Sequence, residues 1–214
     1  VGDDDRFRSE CLAELREANG GGGTIFIEVP CLDWISAHRA WFDIFYEHVN
    51  YFRLDDFRRM FGRVLESGHV FGGQYLYVVA DLASLRDPAA GGGVHFEFPA
   101  DFTASVARYA DQMRARQSAP GTAGSSVIWG GASKGVIFSL FMQRAGAKVD
   151  CVVDINPAKQ GRYLAATGLR VSSPEDMLRQ AAAGSDIYVM NGNYLPEIRQ
   201  MTQDRFNYMT VDHE

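Results

Sequence analysis

Long apolar runs are missing from this chain. No stretch approaches the roughly 20 residues that a membrane-crossing helix requires, so the sequence predicts no membrane partner. Cysteine is scarce. Cys11, Cys31 and Cys151 are odd in number and widely spaced. That spacing gives neither a disulfide framework nor a Cys-x-x-Cys zinc motif, and no metal site is expected. Three reduced, structural thiols fit the cytoplasm. Positive charge is in deficit, with 21 Lys and Arg against 27 Asp and Glu and a formal net charge of -6. Such a balance argues against wrapping nucleic acid by broad electrostatics, while a local basic cluster can still hold a phosphate. The sequence also lacks a signal-peptide pattern, a short internal repeat and an initiator methionine. It opens Val1-Gly2-Asp3-Asp4-Asp5 and enters a helical pattern directly, so we expect a piece of a longer protein.

What is present is enough for a real core. Apolar residues make up 46% of 214, which suits one large or two small domains. Phe7, Cys11, Leu12 and Leu15 fall on one face of a helix predicted from Phe7 to Ala18. After a glycine-rich turn, Thr24 to Val29 reads as a buried strand. An aromatic-rich stretch, Trp34 to Phe52, precedes a second helix expected over Leu54–Leu65, with Asp55 and Asp56 in its first turn. His69 to Leu82 reads as strands broken at Gly72-Gly73, and Asp101 to Gln117 as a long polar helix. From Ser126 the pattern becomes strand, helix, strand, helix. Strands are expected at Val127–Trp129, Val149–Asp154, Asp186–Met190 and Tyr208–Val211. Helices are expected at Lys134–Arg144, Pro174–Ala182 and Leu195–Met201. Alternation of this kind predicts a Rossmann-like, mostly parallel sheet covered on both faces.

The strongest local feature is Trp129-Gly130-Gly131-Ala132-Ser133-Lys134-Gly135, between a predicted strand and a predicted helix. A turn so placed aims backbone N–H groups and the positive helix end at an anion, and Lys134 adds a charge. Roughly 20 residues on, at the end of the next strand, stands Asp154, where dinucleotide folds place a ribose acceptor. The segment Asp154-Ile155-Asn156-Pro157-Ala158-Lys159-Gln160-Gly161-Arg162 adds a turn and two cations suited to a diphosphate. The loop lacks the G-x-G-x-x-G spacing, and glycines in such a turn also serve helix packing alone. Charges in such a turn are often only solvated. The candidate nucleotide-binding set is Gly130, Gly131, Lys134, Asp154, Asn156, Lys159 and Arg162.

Four segments in order carry a family resemblance: FIEVP at 26–30, FYEHVNYF at 45–52, GGASKG at 130–135 and VVDINPAKQGRYL at 152–164. Through them the chain resembles the sugar C-methyltransferases that act on nucleotide-linked keto-deoxysugars with S-adenosylmethionine. The likeness runs from about Phe7 to the end. It implies the C-terminal portion of such an enzyme. Residues 1–83 would be the remnant of a partial α/β methyltransferase domain, 84–125 a linker with a long helix, and 126–214 a Rossmann-like domain for the nucleotide-sugar. The family's zinc cysteines and its N-terminal cofactor loop are not matched in this sequence. S-adenosylmethionine is therefore expected for the complete enzyme and not for this chain alone.

The family's catalytic stretch typically reads Tyr-His-Glu-His; this chain reads Phe45-Tyr46-Glu47-His48. Glu47 and His48 match, and Tyr46 stands in the first histidine position. The implied chemistry removes a proton from carbon beside a ketone and then methylates it, with His48 as the base or the group orienting it and Glu47 fixing its tautomer or positioning the sugar. Phe45 lacks the hydroxyl that would hydrogen-bond an enolate oxygen. On an extended strand Tyr46 would face the other way from position 45, and Glu47 and His48 would point to opposite faces, so joint action of Glu47 and His48 requires a turn or a bent loop. His48 in an aromatic setting also fits simple packing. Ser133 faintly resembles a nucleophile elbow without its G-x-S-x-G spacing, which disfavours a hydrolase. Two other readings stand beside the enzyme: a non-catalytic module binding a nucleotide or nucleotide-sugar, and an NAD-dependent oxidoreductase.

Overall fold

The computed structural model describes residues 4–48, 50–86, 96–118 and 124–211, with side chains from residue 11 onward. The chain is α/β, with a five-stranded parallel sheet and a separate three-stranded antiparallel sheet. It divides into two compact units, one of Val1–Arg39 with His48–Pro99, the other of Ala40–Glu47 with Ala100–Glu214.

The first unit holds α1 (Asp4–Ala18), β1 (Thr24–Pro30), α2 (Leu32–Ala37), α3 (Leu54–Met60), β2 (Val64–Val70) and β3 (Tyr75–Asp81). Its strands run in the order β1-β3-β2, with both pairings antiparallel. β3 alternates strictly: Leu76, Val78 and Ala80 are buried against Phe57 and Phe61, and the residues between them are half-exposed. β1 therefore departs from the expected buried strand. It alternates too, and Phe26 stands on its open face, 61% exposed and stacked on Tyr77. A β-branched run reads alike for a strand buried on two faces or on one, and pairing to β3 decides it. The helix expected over 54–65 stops at Met60. Phe61 is extended and bridges Leu85, the N–H of Gly62 donates to Ser84 O, and Val64 already pairs with Ala80. Sheet pairing here outweighs the helical propensity of the last turn.

The second unit holds α4 (Ala104–Ser118), β4 (Ser126–Trp129), α5 (Ser133–Arg144), β5 (Cys151–Val153), β6 (Val171–Ser172), α6 (Pro174–Gln180), β7 (Asp186–Val189), α7 (Leu195–Met201) and β8 (Asn207–Thr210). Its strand order is β6-β5-β4-β7-β8, and every pair is parallel. The short strand β6 has no counterpart in the sequence reading, since two residues carry no period. Both faces of the sheet are covered. Val127, Trp129, Val153, Ile187 and Val189 pack with Met177 and Ile198 from α6 and α7. On the other side, Tyr109 of α4 and Tyr188 of β7 meet the ring of Phe138 from α5. This is why β4 and β7 are buried at every position. α4 is fixed at its C-terminal end by Arg116, whose guanidinium grips the Asp186 carboxylate at 2.8–3.2 Å and is held in its charged form by it.

Candidate functional site

In this strand order the chain leaves β4 toward β5 and β6 on one side and returns to β7 and β8 on the other. The direction reverses between β4 and β7, and ligands of open α/β sheets bind beyond the strand C-termini at such a reversal. The segments found there are Gly130–Ala132 after β4, Asp154–Gln160 after β5 and Met190–Asn193 after β7.

The glycine loop is tightly fitted. Gly130 has φ +116°, a conformation closed to most side chains, and its N–H donates to Val153 O at 2.8 Å. A Cβ at Gly135, in the first turn of α5, would overlap the carbonyl oxygen of Gly130. Glycine at 135 lets the helix start directly against the loop, and the first N–H groups of α5 then face the strand ends.

Asp154 is the node of this edge. It is buried, at 8% exposure. Its Oδ2 accepts from the N–H of Gly131 and from the Lys159 ammonium, each at 3.0 Å. Its Oδ1 accepts from the N–H of Asn156 at 2.9 Å, and its backbone O accepts from Gln160 Nε2 at 3.1 Å. A carboxylate oxygen has two acceptor sites, so Oδ2 is filled by these bonds while Oδ1 can take another donor. Gly131, Asp154, Asn156 and Lys159 are thus brought together in one network. Arg162 is exposed, and its backbone closes the turn by bonding Lys159 O and Val171 N–H.

Lys134 points elsewhere. Its ammonium pairs with Asp43 at 3.0 Å and lies 5.6 Å from the centroid of the Phe42 ring. Asp43 belongs to a 3-10 helix, Trp41–Asp43, anchored in the second unit. Trp41 is buried, stacks on Phe138 at 5.7 Å, contacts Phe141 at 4.9 Å, and donates its indole N–H to Ser105 Oγ at 2.9 Å. The chain then turns at Tyr46-Glu47, both exposed, and the Ser133 hydroxyl donates to the Glu47 carboxylate. His48 is half-buried in the first unit, with its ring 5.8 Å from that of Tyr51.

Sequence reasoning missed Asp43, Gln160 and Asn191. Asn191 follows β7 and accepts from the N–H of Asn193 at 3.0 Å, shaping the loop opposite Gly130. Its signal was present as Asn191-Gly192-Asn193 right after a predicted strand. Asp43 had no signal, because its partner Lys134 lies 91 positions away and is set by tertiary packing, and Gln160 had none, because its bond to Asp154 O forms only once the loop is folded. Among the described residues, no three His, Cys, Asp or Glu side chains are grouped to hold a metal ion, and no helix is long and apolar enough to cross a membrane.

A family model described as the C-methyltransferase C-terminal domain matches residues 83–207, more than half of the chain. No curated protein matches it.

Proposed function

Because this chain belongs to the family of C-methyltransferase C-terminal domains, we propose that it supplies the nucleotide-sugar-binding part of an S-adenosylmethionine-dependent enzyme that C-methylates a nucleotide-linked keto-deoxysugar. The observation that carries the reading is the bond from Gly131 N–H to the buried Asp154 carboxylate at the C-terminal ends of adjacent parallel strands. In this reading the diphosphate lies against the N–H groups of Ala132 to Lys134 in the first turn of α5, while the Gly131 N–H stays on Asp154. The free acceptor site of Asp154 Oδ1 takes a ribose hydroxyl. Lys159 and Arg162 contribute positive charge, and Asn156 holds the turn that carries them.

Glu47 and His48 are the candidate acid–base pair. His48 removes the proton from the carbon beside the ketone, Glu47 orients it or the sugar, and Tyr46, next to the position where the family has its tyrosine, offers the hydroxyl for the enolate oxygen. Among the described residues of the first unit, no glycine-rich turn leads from a parallel strand into a helix, the arrangement that binds adenosine cofactors in α/β folds. These residues do not fit S-adenosylmethionine.

The test is calorimetric titration of the chain with the diphosphates of thymidine, uridine, cytidine, adenosine and guanosine and with the parent nucleosides. Binding of a diphosphate with little binding of its nucleoside supports the reading; no binding of any of them overturns it. In an enzyme competent for methyl transfer, His48→Ala should lower turnover about 100-fold or more, the scale for losing a positioned acid–base group. A second reading, a binding module without catalysis, is favoured by Phe45 standing where the family places a tyrosine.

A further inference from the structure

The first turn of α5 is occupied by this chain's own carboxylates. Ser133 donates its hydroxyl to Glu47, and Lys134 pairs with Asp43. Both acids come from the one segment 40–47, but they are held differently. Asp43 follows Trp41 and Phe42, both buried, and its own side chain is 13% exposed. Glu47 lies four residues further on, in an exposed turn beside Tyr46, which is 66% exposed. The segment therefore has a buried root and an exposed tip.

We infer that Glu47 is a displaceable occupant of the diphosphate site: it holds Ser133 in the ligand-free chain, and a diphosphate arriving at the same turn takes Ser133 and releases Glu47. This rests on the proposed nucleotide reading and adds regulation to it. A bond between an exposed hydroxyl and an exposed carboxylate contributes little against water. A diphosphate brings more negative charge and more acceptor oxygens than one carboxylate, so it can take the Ser133 hydroxyl and the neighbouring first-turn N–H groups of α5 together. Asp43 stays on Lys134, because its root is packed under Phe138 and Phe141. Ligand arrival would then free the residue next to His48 only when the substrate's anionic end is in place.

The experiment takes the tightest-binding of those five nucleoside diphosphates and compares its affinity for the wild-type chain, Glu47→Gln and Glu47→Asp. Loss of the negative charge in Glu47→Gln would favour any anion, so the decisive variant is Glu47→Asp, which keeps the charge and shortens the reach to Ser133. Both should bind about threefold to tenfold more tightly, as expected when only roughly 10–30% of molecules are open in the wild type. Backbone amide NMR signals of Tyr46 and Glu47 should shift on binding while the Trp41 indole signal stays. Binding that is unchanged or weaker in Glu47→Asp, or a Tyr46 region silent to ligand, overturns the inference and leaves the nucleotide site standing. If no chain, variant or wild type, binds any of the five diphosphates, both fall.

Discussion

The backbone N–H of Gly131 and the side chain of Asp154 are 23 positions apart in sequence and meet at 3.0 Å, joining the turn after β4 to the turn after β5. One buried carboxylate thereby sets the spacing of two loops. Asp154→Ala should lower stability by about 1–3 kcal/mol, the cost of leaving buried donors such as the Gly131 N–H unsatisfied. It should also weaken nucleoside diphosphate binding at least tenfold. Asp154→Asn keeps an acceptor for one loop and should lose less stability. Denaturant unfolding monitored alongside calorimetry separates the two effects.

Gly135→Ala tests how closely helix and loop approach. Helix propensity alone would make alanine more stable by up to about 1 kcal/mol. The added methyl meets the carbonyl oxygen of Gly130, which is backbone and cannot swing aside. Overpacking of that kind typically costs about 1–3 kcal/mol, so the sign should be a net loss. A melting temperature above that of the wild type would contradict the packing described for this turn.

Trp41 anchors the segment that carries Asp43 and Glu47. Its removal in Trp41→Ala should destabilise the chain by about 3–5 kcal/mol, the usual range for deleting a large buried aromatic. Trp41→Phe retains most of the ring stacking on Phe138 and loses the indole bond to Ser105, so it should cost nearer about 1 kcal/mol. Chemical denaturation of the two variants gives the comparison directly.

The three thiols should differ in reactivity. Cys11 is exposed, Cys31 is buried, and Cys151 is half-buried with its thiol pushed up by burial. Thiolate is the reactive form, so a disulfide reagent near pH 8 should modify Cys11 quickly and the other two only after unfolding. Cys11→Ser should abolish the fast phase. A rapid phase that survives in that variant would show one of the inner thiols to be open.

A helix or strand in a parallel α/β unit is written in a short window, and there the sequence was enough. Lys134–Arg144, Asp186–Met190 and Leu195–Met201 were each readable from period and flanking residues. The glycine loop and Asp154 were legible for the same reason: a turn leaving a strand and an acid ending the next are local patterns. The end of α3 at Met60 was not, because Gly62 and Val64 are claimed by partners at Ser84 and Ala80, 16 or more residues away. The exposed face of β1 was not, because a single strand does not state how many of its faces are covered. Nor could any window show Lys134 turned to Asp43 or Glu47 meeting Ser133. Those pairs span 86–91 positions and exist only because Trp41 finds its stack against α5. The sequence determined the elements and the residue types at the strand ends. Tertiary packing decided which of those groups face one another, since long-range contact is settled by burial summed over the whole unit and not by any one stretch of chain.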